Sequence, residues 1–302
     1  MGTTEREADA AAAGVPPAGG MLWECTGELR MVLSLPAALT LQVAHPAVGA
    51  GVDAHSVFRT DPWGRAERSL RSVQLWVYGG EQAVAEGRRV RLLHREIGGT
   101  DARGRPYHAW EPRLYGWVHA TGFPVMRHAW RIAGQRPFTA EEEARLYAEW
   151  RGVGRLLGLR ERDIPADPES FRPYWRAMLE EVEATVVVRE LLDVHRRVPP
   201  PDRGPWPVRA LLRALWPVLW PPLARGHRFL VVGFMPPEAR EALGLPWSAR
   251  QERRLRRLGR LLAAVVPRLP ERLRYLPLAA RARRDLRAGR ARRPDQRREP
   301  AR

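Results

Sequence analysis

The sequence predicts an all-α, multi-helix fold, and three observations carry that prediction. Apolar residues recur at helical spacing through residues 21–134 and again in the segments beyond 139. Helix-start chemistry stands where the spacing begins afresh, and Gly or Pro stands where it breaks. No segment alternates convincingly with period two, and no Gly-rich loop joins a strand to a helix.

Taken in chain order, residues 1–20 open with Glu5, Glu7 and Asp9 and run into Ala, Gly and Pro, which predicts a disordered leader. The helical spacing of 21–134 is interrupted at Asp61-Pro62, at Gly79-Gly80 and across 98–106. Asp61 followed by Pro62 supplies an N-cap and a proline at the first helical position. The helix they open carries Leu70, Val73 and Val77 on one side. Thr139 and Glu142, three residues apart, form a capping box for a helix through Leu157. Another long helix is expected within 168–198. Residues 199–237 read as Pro-rich turns alternating with apolar groups such as Leu211, Leu215, Trp216 and Trp220. Packing over the core is the favoured role for that segment, ahead of lining a channel or lying on a membrane. Residues 238–278 read as a helical hairpin and 281–302 as a disordered Arg-rich tail, leaving 21–280 as one domain.

At 302 residues with 44% hydrophobic content, the chain can bury a large core. The net charge of +17 comes from arginine alone, since the sequence contains no lysine. An all-Arg basic set reads as codon usage, so no specific nucleic-acid partner is assigned. One cysteine, Cys25, excludes an intrachain disulfide and a Cys-rich metal site. The leader lacks the basic and apolar regions of a signal peptide, and no run reaches the ~18 apolar residues of a membrane span. The expectation is a cytoplasmic protein whose basic tail suits an anionic membrane surface.

Histidines are the candidate chemistry. Val90, Leu93, His94 and Ile97 fall at i, i+3, i+4 and i+7, which predicts one core-facing helical side with Arg88, Arg91 and Arg95 close by. An axial imidazole, apolar walls and cations for propionates are what a haem requires, and a hydrogen-bonded core histidine fits the same spacing. His45 precedes Pro46, which predicts a kink or helix start, and Gly49, Ala50 and Gly51 allow close approach of a flat group or another backbone. His55 and His119 are read either as structural or as pocket residues. A non-haem metal site drawing on Asp53 or Glu111 is a further option without strong spacing support. A Ser-His-Asp hydrolase is excluded by the missing strand-to-helix elbow.

The residues also form an ordered pattern. Leu41-Gln42-Val43-Ala44-His45-Pro46-Ala47-Val48-Gly49-Ala50-Gly51-Val52-Asp53-Ala54-His55-Ser56 is followed by Asp61-Pro62, Arg68-x-x-x-Ser72 and Val90-Arg91-Leu92-Leu93-His94. Then come Gly104-x-Pro106-Tyr107-x-Ala109, Trp117-Val118-His119-Ala120-Thr121 and Leu243-Gly244-Leu245-Pro246-Trp247-Ser248. This resembles the bacterial and fungal family that shares the catalytic domain of the rubber oxygenase and the mycophenolic-acid-pathway oxygenase, over roughly residues 21–278. The resemblance implies a globin-like core holding haem b, with His94 as proximal iron ligand. It places Arg68 and Ser72 near the haem, Ser72 standing where the family carries threonine. Arg88, Arg91, His45 and His119 are the further cofactor-binding candidates. The rubber oxygenase's distal lysine has no counterpart here, and Asp53 and His55 stand near the position of its proposed glutamate base. The implied activity is oxygenation of an apolar alkene, isoprenoid or lipid-like molecule with O₂. The alternative is a non-catalytic haem- or lipid-binding protein peripheral to the membrane.

Overall fold

The computed structural model describes residues 13–193, 198–202 and 204–292. The chain runs through α1 (Met21–Thr26), α2 (Leu29–Val32), α3 (Leu35–Gln42), α4 (Pro46–His55), α5 (Pro62–Tyr78) and α6 (Glu81–Leu93). A short hairpin of β1 (Gly98–Thr100) and β2 (Pro106–His108) follows. Next come α7 (Pro112–Ala120), α8 (Gly122–Ala133), α9 (Ala140–Leu156), α10 (Pro168–Leu179) and α11 (Val186–Leu192). The chain continues through α12 (Trp206–Phe234), α13 (Pro237–Ala242), α14 (Ala249–Val265), α15 (Glu271–Arg274) and α16 (Pro277–Arg292).

The predicted start signals act as read. The Asp61 carboxylate accepts from the Gly64 amide at 2.9 Å and opens α5. Thr139 and Glu142 exchange both bonds of a capping box at the head of α9. His45 is the extended N-cap of α4, with Pro46 at the first helical position.

The core is aromatic. Phe123 of α8 meets Tyr147 of α9 and Phe171 of α10 edge-on, at 4.9 and 5.4 Å between ring centres. Trp117 of α7, with none of its surface exposed, stacks on Trp175 of α10. Each such ring stabilises the fold by about 2–3 kcal/mol through burial alone. Gly259 lets α14 lie directly on α8, because a Cβ there would stand 2.2 Å from the Ile132 carbonyl oxygen.

Four expectations are corrected. The break at 98–106 is an antiparallel hairpin with Gly98 opposite His108 and Thr100 opposite Pro106, so the helical fold carries one small sheet. Strands of three residues are too short to show alternation. Asp101 shapes its turn by accepting from the Arg103 and Arg105 amides, both at 2.9 Å. The long helix expected within 168–198 is two helices, α10 and α11, the second capped by the Thr185 hydroxyl; residues 194–197 lie outside the described residues. The Pro-rich stretch is the 29-residue helix α12, with Pro217, Pro221 and Pro222 inside it. Residues 281–292 belong to α16, and Ala279 and Ala280 are buried, so the expected tail starts inside a packed helix. Residues 1–12 and 293–302 lie outside the described residues.

Among the described residues no single helix is long and apolar enough to cross a membrane. The bent pair Leu29–Gln42 and Pro46–His55 passes that test only jointly, and it carries core residues such as Ala37 and Leu41, which have no exposed surface.

Candidate functional site

Helices α5 and α6 form an antiparallel pair joined through Gly79 and Gly80, and Gly80 turns the chain at φ +55°. α6 ends at Leu93, so His94 is its C-cap rather than an interior residue. The expected stripe therefore breaks. Leu93 is 59% exposed, and Ile97 lies past the helix end, where it packs near Ala47, Tyr107 and Leu114.

His94 itself is half-buried, and its Nδ1 lies 2.7 Å from the Val90 carbonyl oxygen. A carbonyl only accepts, so Nδ1 carries the proton and Nε2 carries the lone pair. No protein group meets Nε2 among the described residues. The ring meets Tyr115 of α7 edge-on at 6.0 Å. Burial pushes the Tyr115 phenol up to about 12, and the nearby Arg91 draws it back somewhat. Arg91 lies over the Trp110 ring at 5.3 Å, while Trp110 Nε1 donates to the Arg91 carbonyl. Leu92, 54% exposed, and Leu93 add an open apolar rim beside the imidazole.

The other histidines use their nitrogens differently. His45 Nδ1 accepts from the Ala47 amide, so Nε2 bears the proton and faces Glu181 at 3.4 Å. Burial, then Arg113 and Arg105, lower His45 to about 4, which makes this contact a long hydrogen bond rather than an ion pair. His119 is buried, stacks on Trp150 at 3.8 Å and donates Nε2–H to the Trp150 carbonyl. His55 reaches the Gly98 carbonyl from the exposed end of α4. Of the two close approaches expected at Gly49, a flat group or another backbone, the structure shows the backbone: a Cβ there would lie 2.8 Å from the Val43 carbonyl oxygen.

Arg68 and Ser72 do not meet at one pocket. The exposed Arg68 guanidinium folds back to Asp61 at 3.0 Å. Ser72 is buried between α5 and α6 and donates to Glu86 at 2.6 Å. Arg89 also holds Glu86, keeping its carboxyl below the usual range together with Ser72. Asp53 pairs with Arg59, which also binds Glu190, and Arg88 is exposed. Among the described residues no cluster of three His, Cys, Asp or Glu side chains could hold a metal ion, so neither Asp53 nor Glu111 belongs to one there.

Sequence reasoning missed Glu86, Tyr115 and Arg65. Arg65 is half-buried, hydrogen-bonds Ser69 and has no carboxylate partner among the described residues; burial and Arg68 lower its basicity. Arg65 shares the face of α5 that carries Ser72, two turns nearer the end of the helix pair at which α6 gives way to His94. The i, i+3 spacing of Glu86 and Arg89 was the readable signal for that ion pair.

The fold and this site define a class: a predominantly helical protein in which a half-buried imidazole keeps its Nε2 lone pair beside apolar and cationic side chains. The chain belongs to the family described as ER-bound oxygenase mpaB/B'/Rubber oxygenase, catalytic domain, whose model matches residues 23–264. It is similar to two uncharacterized proteins, Mb2261 of Mycobacterium bovis and Rv2237 of Mycobacterium tuberculosis. Each is 30% identical over 230 residues, covering 73% of this chain and 83% of the relative. No solved structure matches the chain.

Proposed function

We propose that this protein is a haem b-dependent oxygenase acting on an apolar alkene, isoprenoid or lipid-like molecule, with His94 as the residue that would hold the iron. The observation that carries this reading is the His94 Nδ1–Val90 carbonyl bond, which leaves Nε2 as a fixed lone-pair donor. Family membership supports oxygenase chemistry. One imidazole suffices for haem, so the lack of a multi-ligand cluster among the described residues agrees with the donor set.

When bound, haem b supplies one-electron and dioxygen chemistry. The chain's residues do the rest. Val90 fixes the tautomer and orientation of His94, and Tyr115 restrains the ring from its edge. Arg65 and Arg91 offer guanidinium groups of the kind that bind propionates. Leu92, Leu93 and Trp110 provide an open apolar rim that suits an apolar substrate. Arg68, Ser72, Asp53, His55, His45 and His119 are engaged in contacts of their own and take no part in this reading.

The test is the absorption spectrum of the purified protein and its haem content by the pyridine method. The wild type is expected to show a Soret band, and His94→Ala to lose most of its haem. A colourless protein after incubation with hemin, or full haem retention by His94→Ala, sinks the assignment. O₂ consumption on adding an alkene separates an oxygenase from a haem or lipid carrier.

A further inference from the structure

Helix α12 carries an apolar face that the rest of the fold does not cover. Val208, Leu211, Leu215, Val218, Leu219 and Leu223 are all substantially exposed, Val218 at 74%. They recur every three or four residues, with Val218 and Leu219 sharing one step, which puts them along one side of the helix. Trp206, 73% exposed, stands at its N-terminal end. The protein body holds a different side. Leu212, Trp216 and Trp220, four residues apart, are half-buried; both tryptophans meet Trp63 edge-on at 6.3 Å, and Trp216 Nε1 donates to the Val198 carbonyl. The apolar stripe is thus anchored facing outward rather than waiting to fold in. Contiguous exposed apolar surface of this kind marks an interaction site.

The charge around the stripe is of one sign. The 29 residues of α12 include Arg209, Arg213, Arg225 and Arg228 and no acidic residue. Arg225 lies seven residues beyond Val218, so it continues the same line. There it borders a cavity of about 270 Å³ lined by Arg225, Arg228, Phe229, Trp247 and Gln251. Phe229 and Trp247 stack at 5.4 Å, and neither arginine has a carboxylate partner among the described residues. Two unpaired guanidinium groups over an aromatic floor suit a phosphate.

We propose that the exposed face of α12 docks onto an anionic lipid bilayer, burying its apolar stripe at the interface while Arg225 and Arg228 bind a lipid phosphate. An amphipathic helix with arginines and tryptophan has the composition of such an element, and a purely basic helix complements a surface of uniform negative charge. The three prolines fit this placement, because carbonyls that lose a helical partner on the outer half of α12 meet water or lipid headgroups instead.

The test is flotation of the full-length protein with vesicles of phosphatidylcholine, alone or with about a third phosphatidylglycerol. The wild type is expected to float with the anionic vesicles and to stay behind with the neutral ones. Leu215→Asp combined with Val218→Asp should weaken flotation at least ~tenfold with an unchanged melting temperature, since both side chains face outward. Arg225→Ala with Arg228→Ala should weaken binding to anionic vesicles, and millimolar inorganic phosphate should fail to displace the wild type. Wild type that ignores anionic vesicles overturns the proposal, as does an aspartate variant that floats normally. Loss of binding on removing residues 293–302 with α12 intact, or full displacement by free phosphate, would also overturn it. A wild-type dimer that the aspartate pair converts to a monomer would assign the stripe to a second copy instead.

Discussion

Which ring nitrogen meets a carbonyl or an amide decides what each histidine can do. His119 gives its Nε2 proton to Trp150 and lies flat against that ring, so protonating it would place a charge in the core without a partner. Burial holds it down to about 3, against an ordinary 6.5, and His45 down to about 4. The unfolded chain binds these protons near pH 6.5 and the folded chain refuses them until far lower. Stability is therefore complete above pH 6.5 and is lost as pH falls from there toward 3–4. Between pH 7 and 5 each of the two histidines should cost about 2 kcal/mol of stability. Urea midpoints measured across that range are expected to fall, and His119→Gln, which keeps a donor but does not titrate, should flatten the decline. A midpoint independent of pH would show that the core admits the imidazolium. His94, half-buried with a proton on Nδ1 and a free Nε2, can bind an acceptor of electron pairs.

At the scale of elements, the α5–α6 pair rests on a small polar network. Ser72 and Arg89 together fill both oxygens of Glu86 inside the interface. Ser72→Val keeps the volume and removes the hydroxyl, so it should destabilise by about 1–3 kcal/mol in urea or thermal unfolding. Ser72→Thr keeps the bond and should be nearly silent; equal loss in both variants would point to packing rather than the hydroxyl. Helices whose signals are local were legible in sequence: Asp61-Pro62 and the Thr139–Glu142 box need only neighbouring residues to act. α12 was not, because proline reads as a helix stop in isolation. Each proline removes one hydrogen bond, and on the open half of α12 solvent replaces it. The His94 helix was legible, but its end was not. Periodicity cannot say where a helix stops, so Leu93 and Ile97 were placed on a face that ends first. The split between Arg68 and Ser72 was equally hidden. Their spacing sets the direction of Cβ, whereas four rotatable bonds let the Arg68 guanidinium return to its own N-cap.

At the scale of the molecule, the two ends of the described chain close on each other. Glu28, 1% exposed, pairs with Arg30 at 2.5 Å and with Arg274, which lies 246 residues further along. Glu28 and Tyr275 form an antiparallel bridge, and the Leu276 amide donates to the Gly27 carbonyl at 3.0 Å. α16 continues the clasp. Arg283 donates to the Trp23 carbonyl at 2.8 Å, pairs with Glu24 at 3.0 Å and covers the Tyr275 ring at 4.3 Å. Arg287 pairs with Glu271, and α16 packs along α5, the helix that carries Ser72. Two arginines of this segment, Arg283 and Arg287, are thus committed to ion pairs. Ending the chain after Leu276 should therefore lower stability by roughly 3–5 kcal/mol, through lost burial at Ala279 and Ala280 and an uncovered Tyr275. Glu28→Ala should cost a similar amount, because it strands Arg30 in the core at 3% exposure. The two changes act on one network, so their combined cost should fall short of the sum. Urea unfolding of the two variants and the double variant measures all three quantities. A truncated chain that unfolds like the full one would make α16 an appendage. Strict additivity would separate the Glu28 cluster from α16.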